Sequence, residues 1–121
     1  MNLSKYKKFF VPQHDTSDCG AACLLTIIRY YGGDVSLYRL RELCGTSNAG
    51  ATLLGLLQGA NSVGFDSEGA EAEGVQDLIE HGRPCVLAVV ANEMFYHYVV
   101  CFQYEKGYFL ISDPAKGLVE L

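Results

Sequence analysis

The sequence predicts an α+β domain, with N-terminal helices packed on a C-terminal antiparallel β-sheet. Three observations point there. Between residues 19 and 82, apolar side chains recur at three- and four-residue steps, the period of an amphipathic helix. From Pro84 the pattern changes to β-branched and aromatic runs separated by turn pairs. Helices gathered first and strands second is the order of an α+β domain, not of an alternating parallel sheet. At 121 residues, 50% hydrophobic and 19% charged, the chain reads as a single domain, 1–121, around one core.

Residues 1–18 read as an extended lead-in ended by polar turn formers, with Ser17 and Asp18 both suited to cap the helix that follows. That helix runs from about Cys19 to Tyr31, with Ala22, Leu25, Ile28 and Tyr31 on one face. Leu24 and Ile27 widen the apolar surface almost all round, so the helix is expected at the centre of the core. Gly32-Gly33 stops it. A second helix starts at Ser36, carries Leu37, Leu40 and Leu43, and ends at Gly45. A third, rich in leucine, spans Ala51 to Ser62 with Gly64 as its stop. Phe65 to Ala70 reads as a short strand, and Val75, Leu78 and Ile79 mark a short helix ended by Gly82. Cys85–Val90, Phe95–Tyr104 and Tyr108–Ser112 read as strands joined at Asn92-Glu93 and Lys106-Gly107, and Leu118 to Leu121 begins a fourth.

Composition removes several classes of function. The net charge is −5 and the basic residues are scattered, without the basic stripe and interleaved aromatics that would bind nucleic acid. Lys5, Lys7 and Lys8 are followed by only Phe9, Phe10 and Val11 before Pro12, too short an apolar run for a signal peptide. The apolar stretch from Val86 to Phe102 is broken by Asn92, Glu93 and His97 and reads as two strands, not a membrane span. A soluble domain facing the cytoplasm is expected. The five cysteines, at 19, 23, 44, 85 and 101, have no framework spacing and fit buried free thiols in a reducing compartment. The spacing of Cys19 and Cys23 suits neither a zinc site without a second ligand cluster nor a C-x-x-C redox pair.

The chemistry concentrates in Gln13-His14-Asp15-Thr16-Ser17-Asp18-Cys19-Gly20-Ala21-Ala22-Cys23. Cys19 falls at the first turn of the apolar helix, where the positive end of the macrodipole favours a thiolate. Cys23 lies one turn deeper and reads as core. His97 sits within a strand and Asp113 near the end of the next. If Lys106-Gly107 is a two-residue hairpin turn, opposed positions sum to 213, and His97 and Asp113 fall at the same end of the hairpin. Phe95, His97 and Val99 share one face, which would have to meet the start of the buried helix. A cysteine, a base, an acid to orient the base and an amide donor are the parts of a cysteine peptidase: Cys19 the nucleophile, His97 the base, Asp113 the orienting acid, Gln13 the oxyanion donor. His14 reads as an exposed loop residue and His81 as a charge partner for the end of its helix.

The cysteine segment with its upstream glutamine, together with His97-Tyr98-Val99-Val100 and Ile111-Ser112-Asp113-Pro114, resembles the N-terminal peptidase domain of peptidase-containing ABC transporters. These are bacteriocin-processing cysteine peptidases of the papain-like clan, and the resemblance covers nearly the whole chain. It implies a papain-like fold and cleavage of precursor peptides after a Gly-Gly pair that ends an N-terminal amphipathic leader. The family's catalytic cysteine, histidine, aspartate and glutamine correspond to Cys19, His97, Asp113 and Gln13. The partners it implies are the precursor peptide and the transmembrane and nucleotide-binding domains of the same transporter, at the cytoplasmic face of a bacterial membrane. No cofactor is expected in this domain, and ATP only in the full-length transporter. The resemblance also implies a piece of a larger protein, with room for one further strand beyond Leu121. The alternative is a docking domain that binds the leader without cutting it, as in relatives that lack the cysteine; the presence of Cys19 disfavours it.

Overall fold

The structure, a computed structural model, describes residues 3–92 and 95–121, and side chains outside residues 90–96. Five helices precede four strands: α1 (Leu3–Lys7), α2 (Cys19–Tyr30), α3 (Leu37–Leu43), α4 (Leu53–Ser62), α5 (Val75–His81), then β1 (Cys85–Asn92), β2 (Phe95–Glu105), β3 (Tyr108–Asp113) and β4 (Gly117–Glu120). The strands form one antiparallel sheet in the order β1-β2-β3-β4. The helix-then-sheet division expected from the sequence is therefore observed.

Helix α2 is the centre of the molecule. Every residue from Cys19 to Ile28 is buried, as an apolar surface on all sides requires. Its one polar side chain within that span, Thr26, returns its hydroxyl to the carbonyl of Ala22 at 2.9 Å. The sheet face carrying Tyr98, Val100, Phe102 and Leu110 joins α2 in the main core. Local chemistry sets the other helix ends. Ser36 accepts from the N–H of Arg39 to start α3, Thr52 accepts from Gly55 to start α4, and Gly82, at φ +69, closes α5.

Three expectations change. The lead-in is not wholly extended: α1 forms because Tyr6 can bury its ring against Phe102, at 4.9 Å between centroids, beside Phe9 and Tyr30. Long-range aromatic packing, invisible to local periodicity, supplies that helix. Residues 65–70 form no strand; Phe65 packs on the core from a loop and meets the ring of Tyr31 at 5.9 Å. Neither Ser17 nor Asp18 caps α2 with its side chain. Asp15 caps the preceding 3₁₀ turn (Thr16–Asp18) through Ser17, and Asp18 occupies the cap position of α2 without a capping bond. The hairpin at Lys106-Gly107 is as expected, with both residues at positive φ, 53° and 88°. The expected turn at Asn92-Glu93 lies partly outside the described residues.

Helix α4 reaches α3 through two glycines one turn apart. A Cβ on Gly59 would lie 2.5 Å from Cys44 Sγ, and one on Gly55 would overlap the carbonyl oxygen of Cys44. Alanine improves helix propensity by up to about 1 kcal/mol in isolation. At Gly55 the backbone of α3 has to move, so Gly55→Ala is expected to destabilise the fold by about 1–3 kcal/mol. Urea denaturation checks this; an unchanged or raised midpoint would show that the α3–α4 contact is loose.

Candidate active site

The hairpin places a base beside an acid through an irregularity in β2. Near the turn, Glu105, Tyr104 and Gln103 pair with Tyr108, Phe109 and Leu110, in the register that sums to 213. Beyond a bulge at Phe102 the register drops by one, and Cys101 and Val100 pair with Ile111 and Ser112. Opposed residues in an antiparallel pair point to the same side. Without the bulge, Asp113 would fall opposite Val100, on the side away from His97. With it, Asp113 follows Ile111 on the side that carries Val99 and Cys101, and His97 belongs to the same side by alternation.

The result is a direct contact: His97 Nε2 lies 2.7 Å from Asp113 Oδ1, with both side chains largely covered. The same oxygen accepts the backbone N–H of Ala115 at 2.9 Å, and the Asp113 carbonyl accepts from Lys116 at 3.0 Å, so the turn after β3 fixes the carboxylate. With Nε2 engaged, Nδ1 is the ring nitrogen left for another partner.

Gln13 joins this turn from the other side. Its N–H donates to the carbonyl of Pro114 at 3.0 Å, and its side-chain Oε1 is buried without a hydrogen-bond partner among the described residues. A buried polar atom left unmatched is uncommon and calls for a reason. A half-turn of the amide would put its N–H donors where the oxygen now lies.

Cys19 stands at the first residue of α2, 4% exposed. The sheet face that meets α2 is the one with Tyr98, Val100 and Phe102, while Val99, Cys101 and Ile111 form a second, smaller cluster on the other side. An α-helix needs a broad apolar face, and the residues on either side of His97's row provide it. The two halves of the site approach each other at the first turns of α2, where Asp113 is near the buried Cys23, and through chain neighbours. A Cβ on Gly20, next to Cys19, would lie 3.3 Å from the ring of Tyr98, next to His97, and the Tyr98 hydroxyl donates to the carbonyl of Ala51 at 3.0 Å. His97 and Asp113 thus touch, Gln13 is tied to their turn, and Cys19 adjoins them through Gly20 and Tyr98.

The remaining cysteines behave differently from one another. Cys23 is fully buried; burial foremost, then the nearby Cys19 and Asp113, push its thiol well above the ordinary value. Burial raises Cys44 to about 11. Cys85 and Cys101 oppose each other on β1 and β2, and a hydrogen bond from Cys101 draws the half-buried Cys85 thiol down. His14 is exposed, and His81 ends α5, as expected. Among the described residues, no three His, Cys, Asp or Glu side chains converge to hold a metal ion, and no helix is long and apolar enough to cross a membrane.

Comparison with known proteins places this arrangement. The sequence profile of the Peptidase C39 family matches residues 7–121. The chain is 33% identical over 114 residues to the lactococcin-G-processing and transport ATP-binding protein LagD of Lactococcus lactis subsp. lactis, covering 93% of this chain and 16% of the relative. It therefore spans about one-sixth of the length of such relatives. Its fold matches the crystal structure of the peptidase domain of Streptococcus ComA, a bi-functional ABC transporter of a quorum sensing pathway. The TM-score there is 0.83 at 30% identity, over 92% of this chain and 83% of that one. It also matches a double glycine motif protease from an AMS/PCAT transporter, solved in complex with its leader peptide, with a TM-score of 0.82 at 33% identity, over 92% and 76% of the two chains. On both sequence and fold, the chain belongs to the Peptidase C39 family.

Proposed function

We propose that this domain is a cysteine endopeptidase that removes the leader of bacteriocin-like precursor peptides after a Gly-Gly pair, at the cytoplasmic face of a membrane, within an ABC transporter that exports the product. The observation that carries the reading is the 2.7 Å contact of His97 with Asp113, beside the helix start that bears Cys19. Membership of the Peptidase C39 family supports it, as do the transport functions named for the relatives.

His97 Nδ1 takes the Cys19 thiol proton, and the thiolate attacks the scissile carbonyl carbon. This forms a C–S bond and a tetrahedral oxyanion whose collapse breaks the C–N bond and leaves a thioester. The Gln13 amide and the N–H of Cys19 receive the oxyanion charge. His97, oriented through Nε2 by Asp113, delivers a proton from Nδ1 to the leaving amine and then takes one from the water that cleaves the thioester. Asp113 stabilises the charged imidazole without itself exchanging the proton.

Two glycines offer little binding energy, so affinity has to come from the rest of the leader. A groove of about 610 Å³ runs over Leu24, Ile27, Tyr31, Leu53 and Leu57, with Asp66, Glu68 and Arg83 at its rim. Leu56 lines it and would also meet a Cβ on Gly20 at 3.1 Å, so the groove opens beside Cys19. An amphipathic leader helix laid here would cover apolar residues left half exposed, such as Leu53 at 49% and Tyr31 at 57%.

Cys19→Ala is expected to abolish cleavage with the fold intact, and His97→Ala to be nearly as severe. Asp113→Asn should retain more turnover, because nucleophile and base remain. Inactivation by Cys23→Ala with Cys19→Ala still active would overturn the assignment. Iodoacetamide near neutral pH should label Cys19 while sparing Cys23 and Cys44. Peptide mapping is needed to separate it from Cys85, whose thiol is drawn down.

Gln13→Ala should lower kcat by about 10²–10³ with KM little changed. A large rise in KM at constant kcat would make Gln13 a substrate-binding residue instead.

Leu53→Asp should raise KM for a full-length leader without changing kcat, and replacing either glycine of the cleavage site by alanine should weaken cleavage, since overpacking a close site costs roughly 1–3 kcal/mol. Steady-state kinetics on a precursor and on a truncated Gly-Gly peptide check both. Equal cleavage of the truncated and full peptides would remove the groove from the account.

A further inference from the structure

We propose that the Asp18–Arg41 ion pair is a positioning device: it holds the segment from Gln13 to Cys19 in the shape that sets the oxyanion donor against the nucleophile. The inference rests on the peptidase reading above for the roles of those two residues. Asp18 and Arg41 act through them and do not touch the substrate.

Asp18 is 0% exposed, although it is a carboxylate, and it immediately precedes Cys19. It occupies the cap position of α2, where an aspartate ordinarily accepts N–H groups of the first turn from an extended backbone. Here φ is −88° and ψ −9°, and no capping bond forms. The carboxylate turns back instead. Oδ2 accepts the N–H of His14, the residue after Gln13, at 3.2 Å. Arg41 Nη1, from the last turn of α3, lies 2.5 Å from Oδ1, in a charge contact whose alignment falls short of a linear hydrogen bond.

One buried charge therefore closes the five residues that separate Gln13 from Cys19 and ties them to α3. Asp15 braces the loop from within, accepting the Ser17 N–H at 2.8 Å and the Ser17 hydroxyl at 2.5 Å, while the Asp18 N–H donates to the Asp15 carbonyl at 3.2 Å. The Gln13 N–H continues the chain of contacts to Pro114, next to Asp113. A buried ion pair is a poor choice where only stability is needed, because apolar residues of like volume serve as well or better. The next positions of α2 are apolar and fully buried: Ala21, Ala22 and Cys23 are each 0% exposed. A charge placed among them does what packing cannot: it draws the His14 N–H and the Arg41 guanidinium to one point.

The test compares the parent chain with Asp18→Asn, Arg41→Met and Arg41→Lys by three measurements: thermal unfolding, steady-state cleavage of a leader-bearing precursor, and the rate of Cys19 alkylation by iodoacetamide at fixed pH, read by peptide mapping. Misplacement of reacting groups by about 1 Å costs on the order of 10²-fold. Asp18→Asn and Arg41→Met are expected to lower kcat by about 10- to 100-fold with KM within about twofold, and to alter the Cys19 alkylation rate well below the unfolding midpoint. Arg41→Lys should recover part of the loss. The double variant Asp18→Asn/Arg41→Met should be no worse than the worse single one, since both break the same contact. Unchanged kcat and alkylation in folded variants would overturn the proposal, as would a loss of kcat that merely tracks the unfolded fraction. Should Asp18→Asn fail to fold, the two Arg41 variants decide, because that side chain is 34% exposed and its loss leaves no apolar hole. A parent chain that fails to cut the precursor refutes the peptidase reading, and the alkylation comparison still decides this one.

Discussion

The extra residue that β2 carries at Phe102 governs where acid and base meet. A strand alternates its side chains strictly, so a histidine and an aspartate on paired strands share a side only if the register has the right parity. The hairpin turn at Lys106-Gly107 alone gives the wrong parity for His97 and Asp113. The bulge changes it, and the two side chains come to 2.7 Å. Phe102 is 3% exposed and packs among Tyr6, Phe9 and Tyr30, so the irregularity is held in place by the aromatic core that also fixes α1. The site is thus coupled to the packing of the main core, which also contains Cys19.

The second constraint is the depth of α2. A helix buried along its whole length from Cys19 to Ile28 has no freedom to tilt or slide, and its first residue inherits that rigidity. Small residues make the burial close: Gly20 admits Leu56, Ala51 and Tyr98 within 3.1 to 3.3 Å of where a Cβ would stand. The same closeness brings the start of the helix to the strand that carries His97 and to the lip of the apolar groove. One packing event thereby sets Cys19, the strand of His97 and the apolar groove relative to each other, which is how a small domain can hold a preorganised site.

Polar groups around this junction are used economically. Asp15 braces the lead-in, Asp18 spans to Arg41, Asp113 takes the imidazole and a backbone N–H, and the Gln13 amide is left with a buried, unmatched oxygen. Three carboxylates within the same region keep separate partners, so each holds a different piece of backbone or ring. Among the described residues, the unmatched Gln13 amide oxygen has no charged partner to compensate it, whereas the unbonded Asp18 Oδ1 faces Arg41.

Much of this was legible in the residues. The all-round apolar pattern from Cys19 to Tyr31 allows only a buried helix, and glycines at 45, 64 and 82 with Ser36 before α3 mark helix ends because their conformational and capping chemistry is local. The change to β-rich runs after Pro84 and the Lys106-Gly107 turn determined the meander for the same reason. The motif around Cys19, with His97 and Asp113 in order, pointed to the family. Tertiary structure alone decided what depends on partners distant in sequence. Helix α1 exists because Tyr6 finds Phe102, and Phe65 sits in a loop whose ring packs on Tyr31 and the core. The face of β2 that meets α2 is set by the breadth of the core, not by where the histidine falls. The bulge that brings Asp113 to His97, and the turn of Asp18 away from its capping role towards Arg41, leave no mark on local periodicity, since each is the outcome of competition between a local preference and a stronger long-range contact.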